Sequence, residues 1–289
     1  MCSFKVGKPS GAPRRQLLMR SITSISPTIS TLMGIEPPEL ARGRPLSVVT
    51  RAAKRALGGR TAKKLLIYAP DAIGSALFDR HEPAFAQVIR LAPFRVKLSS
   101  VFPPKTPVCF ASIFTGAQPK SHGIRRYMRP VLTCDTLFDA LARGEKKVAI
   151  VAVEDSSMSI IFGGRKVSYF IEEYDGEVNE RAMDLIASGS HDIVLAYNQG
   201  YDDTMHKTKP ESQQSLRVLN RHVRDFVRLA MRMKECWSYD DSALMWLTDH
   251  GAHIDPLTGK GTHGERIPED MIVNEFFGFY PRKQSGVTG

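Results

Sequence analysis

Three short segments of the 289-residue chain hold carboxylates and imidazoles at spacings that suit a divalent cation. In Tyr201-Asp-Asp-Thr-Met-His206, Asp202 and His206 stand four residues apart, so both reach one ion from a helical turn or a tight loop. A surface acid–imidazole pair would use the same spacing. In Thr248-Asp-His-Gly251, Asp249 and His250 are adjacent and followed by a glycine that permits a sharp turn, though a plain turn would look alike. In Gly261-Thr-His-Gly-Glu265, His263 sits between glycines, a pattern that flexible loops share. Together with Asp71, these segments offer six oxygen and nitrogen donors. Such a set suits two borderline divalent ions with positions left open for a substrate. His81, His122, His191, His222 and His253 fall outside it, although His122 and His253 lie close enough in sequence to support it from behind.

A hydrolytic centre of that kind also needs a nucleophile and a place for an anion. Thr106 opens an expected helix, with Pro107 in the first turn. Amides at a helix start bind anions, so a phosphate fits against Thr106 and its neighbours. A threonine hydroxyl is a poor nucleophile until a metal lowers its pKa. Threonine before a helix is also the commonest kind of N-cap, and both roles are compatible.

The elements that would position these groups are legible as apolar runs alternating with helical patterns. Strands are expected at 64–70, 95–100, 147–153, 166–171, 192–197, 243–247 and 276–280. Helices are expected at about 75–91, 136–142, 178–188 and 211–235, the last with Leu216, Leu219, Val223, Phe226, Val227 and Leu229 on one stripe. Strands buried on both faces and alternating with helices predict a three-layer α/β/α sandwich around a largely parallel, mixed sheet. In such sheets, functional groups gather beyond the carboxyl ends of the strands. Asp71, Asp202 and the Asp249-His250 pair each follow a strand.

Composition restricts the class. The chain is 42% hydrophobic and 24% charged, which excludes disorder and a membrane bundle, and no run of eighteen apolar residues is present. No membrane partner is expected. Cys2, Cys109, Cys134 and Cys236 are far apart and form no CxxC pair, and residues 1–20 contain Arg14 and Arg15 but no apolar core of a signal peptide. A reducing, cytoplasmic setting is the expectation. The net charge of +10 is local: residues 1–64 hold 13 Lys and Arg against Glu36 and Glu39, a balance of +11, so the remainder carries −1. That basic segment lacks interleaved aromatics or a zinc-finger pattern, and nucleic acid is not an expected partner. Oligomeric state is not legible.

Asp71, Lys105-Thr-Pro-Val-Cys-Phe-Ala-Ser-Ile-Phe-Thr-Gly-Ala-Gln-Pro-Lys-Ser-His-Gly-Ile124, DDTMH at 202–206, TDHG at 248–251 and GTHGE at 261–265 occur in the order that resembles the alkaline phosphatase superfamily, most closely its type I phosphodiesterase and nucleotide pyrophosphatase branch. The similarity runs from Leu65 to about Phe277. It implies a metal-dependent phosphohydrolase with an alkaline-phosphatase-like fold. One metal would be held by Asp71, Thr106, Asp249 and His250, and a second by Asp202, His206 and His263. Zinc is the usual ion of that branch, and manganese serves relatives. Thr106 would take the phosphoryl group and yield it to water, and the substrate would be a small phosphoester or nucleotide-like molecule. A phosphomonoesterase or phosphomutase of the same superfamily, or a binding protein without activity, is the alternative. The chain departs from the branch at Cys109, where an asparagine contacting the phosphate is usual, which makes Cys109 a candidate substrate contact and otherwise a small buried hydrophobe. It departs again at Asp71-Ala72, where acid–glycine is usual. Cys109 lacks the C-x-P-x-R context of a sulfatase, and no aromatic pair for clasping a nucleobase is evident.

Two domains are expected: a basic N-terminal segment, 1–62, and a catalytic α/β domain, 63–289. Within the first, residues 22–38 resemble the helix that follows the last metal motif in this superfamily. Ile22, Ile25, Ile29, Leu32, Met33 and Ile35 make one apolar stripe, with Ser26 as N-cap and Pro27 in the first turn. The expectation is that this helix docks where the superfamily's C-terminal helix sits, with 39–62 as a connector.

Overall fold

The computed structural model of the chain describes residues 19–284. Cys2, Arg14 and Arg15, used above, lie outside the described residues. Seven strands form one sheet: β1 (Lys64–Pro70), β2 (Phe94–Ser99), β3 (Val148–Val153), β4 (Ser168–Glu172), β5 (Ile193–Asn198), β6 (Ser242–Trp246) and β9 (Ile272–Tyr280), in the spatial order β2-β9-β6-β1-β5-β3-β4. A two-stranded hairpin, β7 (His253–Ile254) with β8 (Gly261–Thr262), stands apart from it. Within the seven-stranded sheet β9 runs antiparallel to both neighbours, and every other pairing is parallel. The sheet is thus largely parallel and mixed, as expected.

Helices cover both faces. Packed on one core are α1 (Ile25–Met33), α2 (Ser47–Ala56), α5 (Thr106–Thr115), α7 (Leu137–Arg143) and α8 (Ser157–Ile161). Packed on the other are α3 (Ser75–Arg80), α4 (Ala86–Leu91), α9 (Asp175–Ser188), α10 (Gly200–Lys207) and α11 (Gln213–Cys236). Short helices α6 (Pro119–His122) and α12 (Pro268–Met271) lie in connections. Because each central strand faces two cores, β3, β5 and β6 are buried at every residue, which is why their sequences read as unbroken apolar runs.

Three expectations need correction. The helix expected over 75–91 is broken into α3, a 3₁₀ turn at Glu82–Phe85 and α4, because Pro83 carries no amide to continue the ladder. The connector 39–62 contains α2, which buries Val49, Ala52 and Ala53 beneath its exposed bases. The N-terminal helix does not start at Ser26. A 3₁₀ turn at Ile22–Ser24, capped by Ser21, feeds directly into α1, and α1 stops at Gly34 in the left-handed conformation at φ +69°. Ile22, Ile25, Ile29, Leu32 and Met33 are all buried, and α1 packs on α5, α2 and α7. The Leu46 amide donates to Thr28 Oγ1 at 2.8 Å, which ties the following segment to this helix.

Candidate active site

Sheet order explains how distant residues meet. β6, β1 and β5 are consecutive neighbours and parallel, so their carboxyl ends open side by side. Asp71 follows β1, Asp249 and His250 follow β6, and α10, which carries Asp202 and His206, follows β5. The hairpin β7–β8 delivers His263, and α5 presents Thr106 from its first position. Gly251 is required for closeness rather than for a special backbone angle: a Cβ there would lie 2.0 Å from the Glu269 carbonyl oxygen. Ala72 takes the left-handed conformation at φ 62°, where glycine is the unstrained choice, so the departure from acid–glycine falls at a position that strains alanine.

Two groups of donors result. Asp71, Asp249 and His250 place one ligand atom each within 4.8 Å of one another, and so do Asp202, His206 and His263. His250 Nε2 lies 3.1 Å from Asp249 Oδ2 and 3.6 Å from Asp71 Oδ1. Asp202 Oδ1 lies 3.4 Å from His206 Nε2 and 3.5 Å from His263 Nε2. The His250 and His263 rings stack at 4.0 Å between centroids, which joins the two groups, and Thr106 Oγ1 is 3.3 Å from His250 Nε2.

The surroundings aim these atoms inward. Each of the three imidazoles spends Nδ1 on a backbone carbonyl: His206 on Gly261 at 3.0 Å, His250 on Gly251 at 3.1 Å and His263 on Pro104 at 2.8 Å. That leaves each Nε2 to face the carboxylates, the arrangement that orients metal-binding histidines. Tyr197 donates its hydroxyl to Asp71 Oδ2 at 2.5 Å, and the Ala72 amide donates to Asp249 Oδ1 at 3.2 Å. Their other oxygens, Asp71 Oδ1 and Asp249 Oδ2, have no hydrogen-bond partner although buried, and neither does Asp202 Oδ1. His253 holds Asp270, whose other oxygen accepts the amides of Gly264 and Glu265 and so fixes the loop beside His263. His122 bonds Ser112 on α5 at 2.8 Å.

Burial governs the protonation of the cluster. Desolvation, and then neighbouring carboxylates, push the Asp71, Asp202 and Asp249 carboxyls well above the usual range. Desolvation pushes His250 well down and His263 down to about 3, while His206 is lowered less. Three adjoining carboxyls with unpartnered oxygens, beside three neutral imidazoles, would be stabilised as anions by a cation among them.

A cleft of about 370 Å³ opens on the cluster, lined by Asp71, Thr106, Asp202, His206 and His263 and also by Lys105, Tyr127, Arg129 and Asp155. The last four were missed from sequence. Lys105 adjoins the nucleophile candidate, and that adjacency was a legible signal. Tyr127 and Arg129 belong to a segment with no regular structure, which carried none. One expectation narrows here, and of the two readings of Cys109 the buried one fits. The amides of Val108 and Cys109 donate back to the Lys105 carbonyl at 2.9 Å, so the capacity of this helix start for an anion falls to Thr106. Cys109 is fully buried, its sulfur 3.1 Å from Ser100 Oγ and its thiol pushed well up by desolvation, as a packed side chain would be.

The comparisons bear on the fold and on the family match. Residues 65–139 match the family model of type I phosphodiesterase / nucleotide pyrophosphatase. No curated protein matches the chain. Among solved structures, an inactive variant of murine ectonucleotide pyrophosphatase/phosphodiesterase 5 in complex with AMP is similar at a TM-score of 0.54 and 15% identity, over 66% of this chain and 57% of that one. Phosphonoacetate hydrolase from Sinorhizobium meliloti 1021 with phosphonoformate is similar at 0.50 and 17%, over 68% and 59%. The C-terminal periplasmic domain of a phosphoethanolamine transferase from Campylobacter jejuni is similar at 0.54 and 14%, over 75% and 80%. The chain therefore spans less than two thirds of the first two. The fold is that of alkaline-phosphatase-like proteins, and the family match is to phosphoester hydrolases.

Proposed function

We propose that the chain is a metal-dependent phosphohydrolase of the phosphodiesterase or nucleotide pyrophosphatase type. The observation that carries this reading is the set of three buried carboxylate oxygens without partners, facing three imidazole Nε2 atoms around Thr106. The donor set fits divalent ions: Asp71, Asp249, His250 and Thr106 would hold one, and Asp202, His206 and His263 the other. Oxygen and nitrogen donors in this proportion suit zinc, with manganese an alternative. When bound, such ions lower the pKa of a coordinated hydroxyl and shield the charge of a phosphoryl group.

The chain's own residues supply the rest. Thr106 Oγ1 attacks phosphorus, the leaving alcohol or phosphate departs on the opposite side, and water then cleaves the phosphothreonine ester. The ten-residue helix α5 fixes Thr106 in place, and its buried hydroxyl has little freedom to turn away. Lys105 carries positive charge beside the attacked group. It is half-buried and its amine touches the His263 carbonyl, so desolvation lowers its pKa. A phosphomonoesterase or phosphomutase would use the same machinery. AMP in the murine relative favours a nucleotide-like substrate here, and Tyr127 and Tyr197 both stand on the cleft wall. Cys109, Cys134 and Cys236 are all free, which supports the cytoplasmic setting.

Hydrolysis of bis(p-nitrophenyl) phosphate against p-nitrophenyl phosphate, with zinc or manganese supplied, tests the proposal. Diester turnover that requires metal is the expected result. Turnover of the monoester alone would move the chain to the phosphatase reading, and no turnover of either would leave a binding protein.

A further inference from the structure

One wall of the cleft carries more charge and more apolar surface than the cleft itself uses. This wall leaves the body at Ile124 and rejoins it at Leu132, both buried. Between them every residue from Arg125 to Val131 is exposed, including Tyr127, Met128 and Val131. The loop is nonetheless anchored. His122 bonds Ser112 and accepts the Ile124 amide, the Leu132 amide donates to the Ile161 carbonyl, and Arg129 donates to the Asp155 carbonyl. Its side chains are therefore presented rather than folded away.

Residues 118–134 contain Lys120, Arg125, Arg126 and Arg129 and no acid. None of the four forms an ion pair among the described residues. Only Tyr127 and Arg129 line the cleft, so a ligand confined there leaves Lys120, Arg125, Arg126, Met128 and Val131 without a use. The hairpin that delivers His263 to the cleft also exposes Ile254 and, at its tip, Leu257, which is 93% exposed. Among the described residues, half of the twelve large exposed apolar side chains, with Phe102 the sixth, lie in these loops beyond the strand ends.

We infer that this rim docks the cleft onto an anionic lipid surface. Unpaired Lys and Arg are drawn to a negatively charged leaflet, while Met, Val, Leu and Tyr side chains settle at the headgroup boundary. Nucleic acid would match the bases but would leave Met128, Val131 and Leu257 in water. The attachment is peripheral and needs no spanning helix, and among the described residues no helix is long and apolar enough to span a membrane. It revises the expectation of no membrane partner.

Co-sedimentation of the full chain with phosphatidylcholine vesicles, with and without about one-third phosphatidylserine, tests the inference. The chain should bind the anionic vesicles and not the neutral ones. A Lys120→Gln/Arg125→Gln/Arg126→Gln variant should lose roughly a hundredfold in partitioning, from about 1 kcal/mol per base. A Met128→Ser/Val131→Ser variant should lose severalfold through its apolar arm. Both should keep the parental melting temperature, which separates lost docking from lost fold without relying on turnover. Equal binding to neutral vesicles, parental partitioning by the triple variant, or binding to single-stranded DNA instead of vesicles would each overturn the inference. Binding is read without turnover, so failure of the hydrolase reading leaves this test intact.

Discussion

Thr106 and Tyr197 show two ways in which a single side chain can matter at this site. If Thr106 is the nucleophile, Thr106→Ala removes turnover while melting temperature and metal content stay near parental, and Thr106→Ser keeps part of the activity because only a methyl is lost. Turnover by Thr106→Ala would show that the attacking group is water instead. Tyr197 acts one step back. Its hydroxyl holds Asp71 Oδ2, so the opposite oxygen is left facing the donor cluster. Tyr197→Phe should weaken metal binding by about 10–100-fold with the fold unchanged, measured by competition with a chelating dye. Unaltered affinity would mean that Asp71 is not a ligand. The ligand candidates were legible because acid and imidazole recur after strands. Tyr197 was not, since a tyrosine ending the apolar run of β5 looks like one more core residue.

At the scale of elements, the strands were the most legible part. Burial on both faces leaves an uninterrupted apolar signature in Val148–Val153 and Ile193–Asn198. Helix α2 was hidden for the opposite reason: Arg51, Lys54 and Arg55 dominate its composition, while its apolar face is only Val49, Ala52 and Ala53 between Leu46 and Leu57. The stripe of α1 was visible, but not its partner: Gly116 leaves room for Ala41, whose Cβ would lie 2.7 Å from a Cβ there, so the segment after α1 wraps the end of α5. Because Thr106 starts that same α5, α1 braces the helix that carries the nucleophile candidate. Ile29→Ala should cost about 2–4 kcal/mol, as for a buried aliphatic truncation, against almost nothing for an exposed one. Removing residues 1–40 should cost several kcal/mol and activity together. Equal melting temperatures for the deletion variant and the intact chain would show that the helix does not support the domain.

For the whole molecule, acid stability depends on imidazoles that the site does not use. His222 is fully buried, bonded through Nδ1 to the Tyr68 hydroxyl at 2.8 Å, and its Nε2 has no partner. Desolvation lowers its pKa to about 4, and it lowers His122 likewise. In the unfolded chain both titrate near 6.5, so as pH falls below that value the unfolded state binds protons that the folded state refuses. The contribution of His222 to stability should therefore be level above about pH 6.5 and fall steadily from there toward 4, by on the order of 2–3 kcal/mol. His222→Gln keeps a hydrogen-bonding group beside Tyr68 and cannot take up a proton. Urea unfolding of parent and variant at the same metal concentration, between pH 7 and 4.5, reads the difference, which cancels the titration of every other group. The variant curve should be the flatter of the two, and parallel curves would mean that water reaches His222 and lets it titrate as it does in the unfolded chain.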